Sequence, residues 1–193
     1  MDKPDLLLDL DGVARNFIAG VLPLVKDITG RDHHHDDVDK WRVEHALKLS
    51  PAETKEMYSR INQEGWCRSL IPYEGAKEGI ARLSEVVTIY PVTFQFPSLW
   101  WVRECEEWLV THFGIDPNDV VHTNAKHIAF GDYFVEDKTE TLVKWRAHWR
   151  KRGLEGKPIK FVRQYNKDDT WDGLVVRNWR ELVNMVVDDV AAR

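Results

Sequence analysis

The sequence predicts an α/β protein with a parallel β-sheet flanked by helices. Three observations support this fold class. Short apolar or β-branched runs, each about the length of one strand, recur along the chain. Segments with apolar residues at helical spacing separate these runs, which is the alternation that a parallel sheet requires. Acidic residues or a hydroxyl follow several of the runs directly, at the strand ends where open α/β sheets bind ligands.

The first predicted strand lies in residues 5–13 and runs into two acids. Its apolar part is typical of a buried strand in a parallel sheet. Asp9 and Asp11 would project to the same face if the strand continued that far, and Gly12 permits a sharp turn. Two charged carboxylates at this position are costly unless a hard cation such as Mg²⁺ neutralises them. An acidic turn without chemistry is the alternative, because Asp and Gly are ordinary turn residues.

Helical patterns follow the acidic pair. Residues 14–29 have apolar side chains at helical spacing, and Gly30 is predicted to end that helix. Residues 41–66 predict two or three short helices, one of them capped by Ser50 and beginning with a proline. Residues 33–37 contain three His and two Asp, but adjacent side chains diverge, so we expect a polar loop rather than a metal site.

The rest of the chain continues the alternation of strands and helices. Predicted strands cover residues 85–93, 119–123, 131–137 and 159–162, and predicted helices cover residues 76–84, 98–113, a segment after residue 138 and a segment after residue 178.

Length and composition limit the possible classes of protein. The chain has 193 residues, enough for one substantial domain with a small inserted lobe. A net charge of −5 argues against a broad nucleic-acid surface. The sequence shows no leader and no apolar run of membrane-spanning length, and its two distant cysteines fit a reducing compartment. We therefore expect a cytoplasmic protein with no membrane partner; a homodimer is compatible with the sequence.

Several motifs resemble those of one enzyme superfamily. Residues 9–13, Asp-Leu-Asp-Gly-Val after an apolar strand, resemble the first motif of the haloacid dehalogenase (HAD)-like phosphohydrolases. Lys126 and residues 131–137 (Gly-Asp, three apolar residues and an acidic pair) have the order and spacing of the 5′(3′)-deoxyribonucleotidases of that superfamily. Residues 65–76 and 172–182 also resemble these enzymes.

The resemblance implies a specific domain organisation. It predicts a Rossmann-like HAD core made of residues 1–30 and 70–193, with a small helical cap formed by residues 31–69. In this family such an insertion lies over the active site, where it would exclude water and select the substrate.

The resemblance also implies catalytic roles. Asp9 would be the nucleophile that becomes an aspartyl-phosphate, and Asp11 the general acid/base. Lys126 would neutralise the nucleophile and the incoming phosphate. Thr93 occupies the place of the hydroxyl that binds the transferring phosphoryl group, although Thr88 and Ser98 remain alternatives for this role.

The implied cofactor is Mg²⁺, held by Asp9, the backbone carbonyl of Asp11, and the pair Glu136 and Asp137. Glu136 replaces the more usual Asp, and Lys138 stands where relatives carry Arg. Both changes keep the charge, and the sequence leaves open which member of the acidic pair contacts the ion directly.

The substrate would be a small phosphomonoester, and a nucleoside monophosphate is favoured. Phe17, Trp41, Trp66 and Phe94 are aromatic candidates for stacking on a base. A phosphatase for another small ester such as a sugar phosphate is one alternative, and a non-catalytic nucleotide-binding module is another. Retention of both Asp9 and Asp11 argues against the binding module, because binding alone does not need the second carboxylate.

Overall fold

The computed structural model describes residues 2–193, which contain one six-stranded sheet with helices on both faces. The strands are β1 (Asp5–Leu8), β2 (Thr88–Thr93), β3 (Val121–His122), β4 (Tyr133–Glu136), β5 (Lys157–Phe161) and β6 (Leu174–Val176). Their order across the sheet is β3-β2-β1-β4-β5-β6, and every neighbouring pair is parallel. The predicted fold class is therefore confirmed.

Helices connect the strands. They are α1 (Phe17–Thr29), α2 (Val43–Ala46), α3 (Pro51–Ile61), α4 (Trp66–Ser69), α5 (Ala76–Ser84), α6 (Trp101–Phe113), α7 (Thr139–Arg150) and α8 (Trp179–Ala191). Within residues 2–193, no helix combines the length and the apolar character that a membrane span requires.

Two hydrophobic cores lie on opposite faces of the sheet. Leu6 and Leu8 of β1 belong to the larger core, to which α1, α5, α6 and α8 contribute. Leu7 belongs to the smaller core, where it joins Trp145 of α7. This division follows from the alternation of side chains along a strand. Because β1 is buried on both faces beyond its first residue, residues 6–8 are all apolar.

The observed elements are shorter than predicted at several ends. Strand β1 ends at Leu8, so Asp9 and Asp11 lie in the loop after it and do not share a strand face. Helix α1 begins at Phe17 rather than at residue 14, because the Asn16 side chain accepts a hydrogen bond from a backbone N–H of the first turn. It ends as predicted at Gly30, which adopts a left-handed conformation.

The segment between α1 and α5 contains three short helices. Helices α2 and α3 lie within residues 41–66, where two or three were predicted, and α4 begins at the last residue of that range. Helix α3 packs against α1, so the segment is attached to the first βα unit. Ser50 caps α3 in the predicted way, with Glu53 bonding back to the Ser50 N–H. The histidine-rich run forms a 3₁₀ turn at His35–Asp37.

Candidate active site

Three buried acids meet at the carboxyl ends of the central strands β1 and β4. Asp9 directly follows β1, Glu136 ends β4, and Asp137 comes next. Their side chains are almost inaccessible to solvent, and one carboxylate oxygen from each lies within 4.8 Å of the others. Adjacent parallel strands bring these residues together, because their carboxyl ends lie at one edge of the sheet.

A single ammonium group lies among these carboxylates. The Nζ of Lys126 is 2.6 Å from Asp9 Oδ1 and 3.0 Å from Glu136 Oε2. Burial alone would lower the pKa of Lys126, but the charges of Asp9 and Glu136 outweigh it and raise that pKa. Lys126 is therefore a cation at any physiological pH.

One cation does not neutralise three buried carboxylates. Burial raises the pKa of Asp9 well above its usual range, and the charge of Glu136 adds to this shift. Burial likewise raises the pKa of Glu136, and burial with the charge of Asp9 raises the pKa of Asp137 to about 7. The cluster thus retains a capacity to bind positive charge.

The donor set of the cluster suits a divalent cation such as Mg²⁺. All three side chains offer oxygen ligands, which hard cations prefer. The Oδ1 atom of Asp137 is buried and has no hydrogen-bond partner within residues 2–193. A buried oxygen without a partner is costly, and a cation would remove that cost. The residues therefore fit the ion that the sequence motifs imply.

The Asp11 carboxylate lies outside this cluster, at the wall of the adjoining cavity. Arg15 Nε and Nη2 donate to the two oxygens of Asp11, each at 2.8 Å. The Arg15 side chain is fully buried and lies over the rings of Trp101 and Trp108. This bidentate pair orients a carboxylate that remains partly exposed to the cavity.

Thr93 is the predicted hydroxyl residue that lies at the same sheet edge. It is the last residue of β2 and is buried, and its hydroxyl has no hydrogen-bond partner within residues 2–193. It does not line the cavity. Of the alternatives, Thr88 begins β2 at the opposite end, and the Ser98 hydroxyl donates to the carbonyl of Asn62.

A cavity of about 760 Å³ opens beside Asp9, Asp11 and Lys126. This volume is typical of sites for small molecules. Aromatic side chains line it, and they include three of the four predicted ones: Phe17, Trp41 and Phe94.

Trp66, the fourth predicted aromatic residue, does not line the cavity. Its ring packs edge-on against Phe17 at 5.4 Å and stacks on Trp101. Trp66 therefore supports the cavity wall from behind. Helix α4 directs the ring into the interior, which the spacing along the chain does not reveal.

Sequence reasoning missed Phe96 and Tyr165, which both line the cavity. Phe96 stacks on Phe17 with ring centroids 6.0 Å apart, and its position two residues after Phe94 is a signal that could have identified it. Tyr165 follows β5, so the rule that ligands bind at carboxyl strand ends applies to it as well. Arg15 was also missed; its spacing of four residues from Asp11 is that of a common ion pair.

Solved structures with the same fold are hydrolases of the HAD type. A proposed haloacid dehalogenase-like hydrolase from Burkholderia xenovorans LB400 has a TM-score of 0.65 and 13% identity, with 97% of this chain and 98% of that chain covered. A HAD-superfamily hydrolase from Geobacter sulfurreducens PCA has a TM-score of 0.57 and 15% identity, with coverages of 95% and 96%. A proposed HAD-hydrolase from Bacillus subtilis, bound to magnesium, has a TM-score of 0.51 and 12% identity, with coverages of 96% and 99%.

At the sequence level, no curated protein is significantly similar to this chain. A family model, however, matches residues 3–193, which is nearly the whole chain. The model describes the 5' nucleotidase, deoxy (Pyrimidine), cytosolic type C proteins. The chain has the fold of the HAD-type hydrolases. Because the family model covers nearly the whole chain, the protein is a phosphoric monoester hydrolase that belongs to the family of 5' nucleotidase, deoxy (Pyrimidine), cytosolic type C proteins.

Proposed function

We propose that the protein is a Mg²⁺-dependent 5′(3′)-deoxyribonucleotidase that hydrolyses (deoxy)nucleoside monophosphates to nucleoside and phosphate. One observation carries this proposal. A buried Asp9, paired with Lys126, adjoins an aromatic-lined cavity large enough for a nucleotide. A cytoplasmic location is part of the proposal, and the description of the matching family as cytosolic supports it.

Asp9 is the proposed nucleophile. Its carboxylate would form a bond to phosphorus while the ester bond to the nucleoside oxygen breaks. A like-charge pair at about 4 Å costs roughly 4 kcal/mol at an effective dielectric near 20, so this attack needs positive charge nearby. Lys126 provides one such charge, 2.6 Å from Asp9 Oδ1. Mg²⁺, held by Asp9, Glu136, Asp137 and the carbonyl of Asp11, would supply further charge neutralisation.

Asp11 is the proposed general acid/base. It would donate a proton to the departing nucleoside oxygen and then accept one from the water that attacks the aspartyl-phosphate. That second attack releases inorganic phosphate and restores the Asp9 carboxylate. The bidentate contact with Arg15 fixes the Asp11 carboxylate at the cavity wall, and one of its two hydrogen bonds has to open before Asp11 can carry a proton.

The aromatic residues are proposed to recognise the base. Phe17, Phe94 and Phe96 form one group on the wall, and Trp41 comes from the segment that we propose as the cap, residues 31–69. Planar rings of this kind stack on a flat heterocycle. The proposed core, residues 1–30 and 70–193, carries the acids, so substrate would bind between cap and core with water excluded.

A substrate panel tests the proposal. It contains deoxy- and ribonucleoside monophosphates phosphorylated at the 5′ or the 3′ position, together with sugar phosphates, and the assay measures release of inorganic phosphate. We expect the nucleotides to be hydrolysed fastest, EDTA to stop the reaction reversibly, and the Asp9→Asn variant to be inactive. A preference for sugar phosphates would support the alternative phosphatase. Release from none of the compounds would favour a binding module, and undiminished hydrolysis in EDTA would remove Mg²⁺ from the proposal.

Trapping the intermediate tests the role of Asp9 separately. Borohydride reduces an acyl phosphate to an alcohol, so an aspartyl-phosphate at this position would become homoserine. We expect mass spectrometry to find this change at position 9 only when substrate and Mg²⁺ are both present. Turnover without any modified residue would argue for direct attack by water.

A further inference from the structure

The turn after β5 connects the two acidic loops of the site. It is a 3₁₀ turn at Gln164–Asn166. The Asn166 side-chain amide donates to the carbonyl oxygens of Asp137, at 2.6 Å, and of Phe161, at 2.9 Å. Just before the turn, Arg163 Nε donates to the carbonyl of Gly12. The turn therefore holds the backbone of both loops.

Tyr165, in the middle of this turn, contacts the Asp137 side chain. Its hydroxyl donates to Oδ2, whereas Oδ1 is buried and has no hydrogen-bond partner within residues 2–193. One oxygen of Asp137 is thus restrained by the protein and the other is available to a ligand. The backbone of Gly12 packs directly against this hydrogen bond: a Cβ atom at Gly12 would lie 1.7 Å from Asp137 Oδ2, so no side chain fits there.

The ring of Tyr165 also contacts the segment between α1 and α5. It packs edge-on against Trp41, with ring centroids 5.6 Å apart and an interplanar angle of 80°. Lys138 Nζ lies 5.1 Å from the centroid of the Trp41 ring, on its face. Tyr165 therefore has two separable parts: a hydroxyl that touches Asp137 and a ring that packs on Trp41.

We propose that Tyr165 is a positioning residue whose hydroxyl orients Asp137 so that Oδ1 faces a divalent cation. This inference rests on the metal site of the proposed function. A restrained carboxylate loses less conformational freedom when it binds an ion than a freely rotating one does. The affinity for the ion therefore depends on the Tyr165 hydroxyl, although that hydroxyl is not itself a ligand.

The variant Tyr165→Phe tests this role, because it keeps the ring on Trp41 and removes only the hydroxyl. The measurement is the dissociation constant for Mn²⁺, used in place of Mg²⁺, in the substrate-free protein, followed by electron paramagnetic resonance. We expect the affinity to fall about 10- to 100-fold, as for other residues that orient metal ligands. The loss of phosphate release should become smaller as the Mg²⁺ concentration rises, because the variant lowers the affinity for the ion.

Tyr73→Phe is the matched control. The Tyr73 hydroxyl lies 3.4 Å from His35 Nε2, and within residues 2–193 the tyrosine that hydrogen-bonds the Asp137 carboxylate is Tyr165. We expect this variant to bind Mn²⁺ like the wild type. Asp137→Asn provides a second measurement: in that background, adding Tyr165→Phe should cause no further loss of Mn²⁺ affinity.

Three results would overturn the inference. They are wild-type Mn²⁺ affinity in Tyr165→Phe, equal losses in the Tyr165 and Tyr73 variants, and a wild-type protein that binds no Mn²⁺. Failure of the proposed function gives a different result. In that case the wild type would hydrolyse no nucleotide, while Tyr165→Phe would still weaken Mn²⁺ binding.

Discussion

Replacing Lys126 with Met should destabilise the metal-free protein strongly. The Lys126 side chain is only 12% exposed, and its ammonium contacts two almost fully buried carboxylates, Asp9 and Glu136. Breaking such a buried pair leaves uncompensated charge and costs about 3–5 kcal/mol. For a chain of this length each kcal/mol lowers Tm by about 2–4 °C, so we expect a loss of about 6–20 °C in EDTA at pH 7.5.

Lys144→Met is the matched control, since Lys144 Nζ lies 2.6 Å from Glu140 but the two side chains are 61% and 62% exposed. An exposed pair contributes at most about 1 kcal/mol. Thermal unfolding, followed by circular dichroism with and without Mg²⁺, compares the two variants. Added Mg²⁺ should restore part of the stability lost by Lys126→Met, because the ion replaces the missing positive charge. Equal losses in the two variants, or no greater loss at pH 7.5 than at pH 5, would refute this reasoning.

Three further predictions follow from the same site. Gly12→Ala should lower the free energy of unfolding by about 2–5 kcal/mol, because Gly12 has a φ of 83° and a Cβ there would overlap Asp137. Gly30→Ala is the control: the space around its Cβ is open, so it should cost only about 1 kcal/mol, and equal losses in denaturant unfolding would contradict the prediction. Burial in the folded state raises the pKa of Asp137 to about 7. Between pH 4 and 7 the metal-free protein therefore takes up a proton when it folds, and its free energy of unfolding should fall by up to roughly 4 kcal/mol as the pH rises through that range. Unfolding midpoints in EDTA that are constant over this range would disprove the assignment. Trp41→Ala should raise the KM for nucleoside monophosphates about 10-fold, because the stacking contact with the base is lost, and should not change the KM for sugar phosphates. Steady-state kinetics measure both values, and equal changes in the two would mean that Trp41 does not contact the base.

The acidic cluster at the centre of the site could be predicted from the sequence. Apolar runs predict buried strands, and parallel strands present their carboxyl ends at one edge of the sheet. Asp9 and the pair at residues 136–137 each follow such a run, so their proximity could be predicted although about 127 residues separate them along the chain. Lys126 was predicted because its spacing to the acidic pair resembles that in the 5′(3′)-deoxyribonucleotidases, and it lies in contact with Asp9.

The orientation of individual side chains was not predictable in this way. Asp9 and Asp11 are two residues apart, yet one enters the acidic cluster and the other is bound by Arg15 at the cavity wall. The reason is that β1 ends at Leu8, so strand alternation no longer applies beyond it. Trp66 similarly packs behind Phe17, since the direction of a ring on a four-residue helix depends on its neighbours in space.

The sequence by itself determined five of the six strands, most of the helices and which polar residues lie at the strand ends, because these depend on periodicity and on local turn chemistry. Strand β6, with three residues, is too short to show a period and was not predicted. Only the tertiary structure decided the partners of those polar residues. Arg163 reaches the carbonyl of Gly12 across 151 positions, and Tyr165 reaches Asp137 across 28. Such contacts depend on the order of strands in the sheet and on how closely side chains pack, and neither is a property of any single segment.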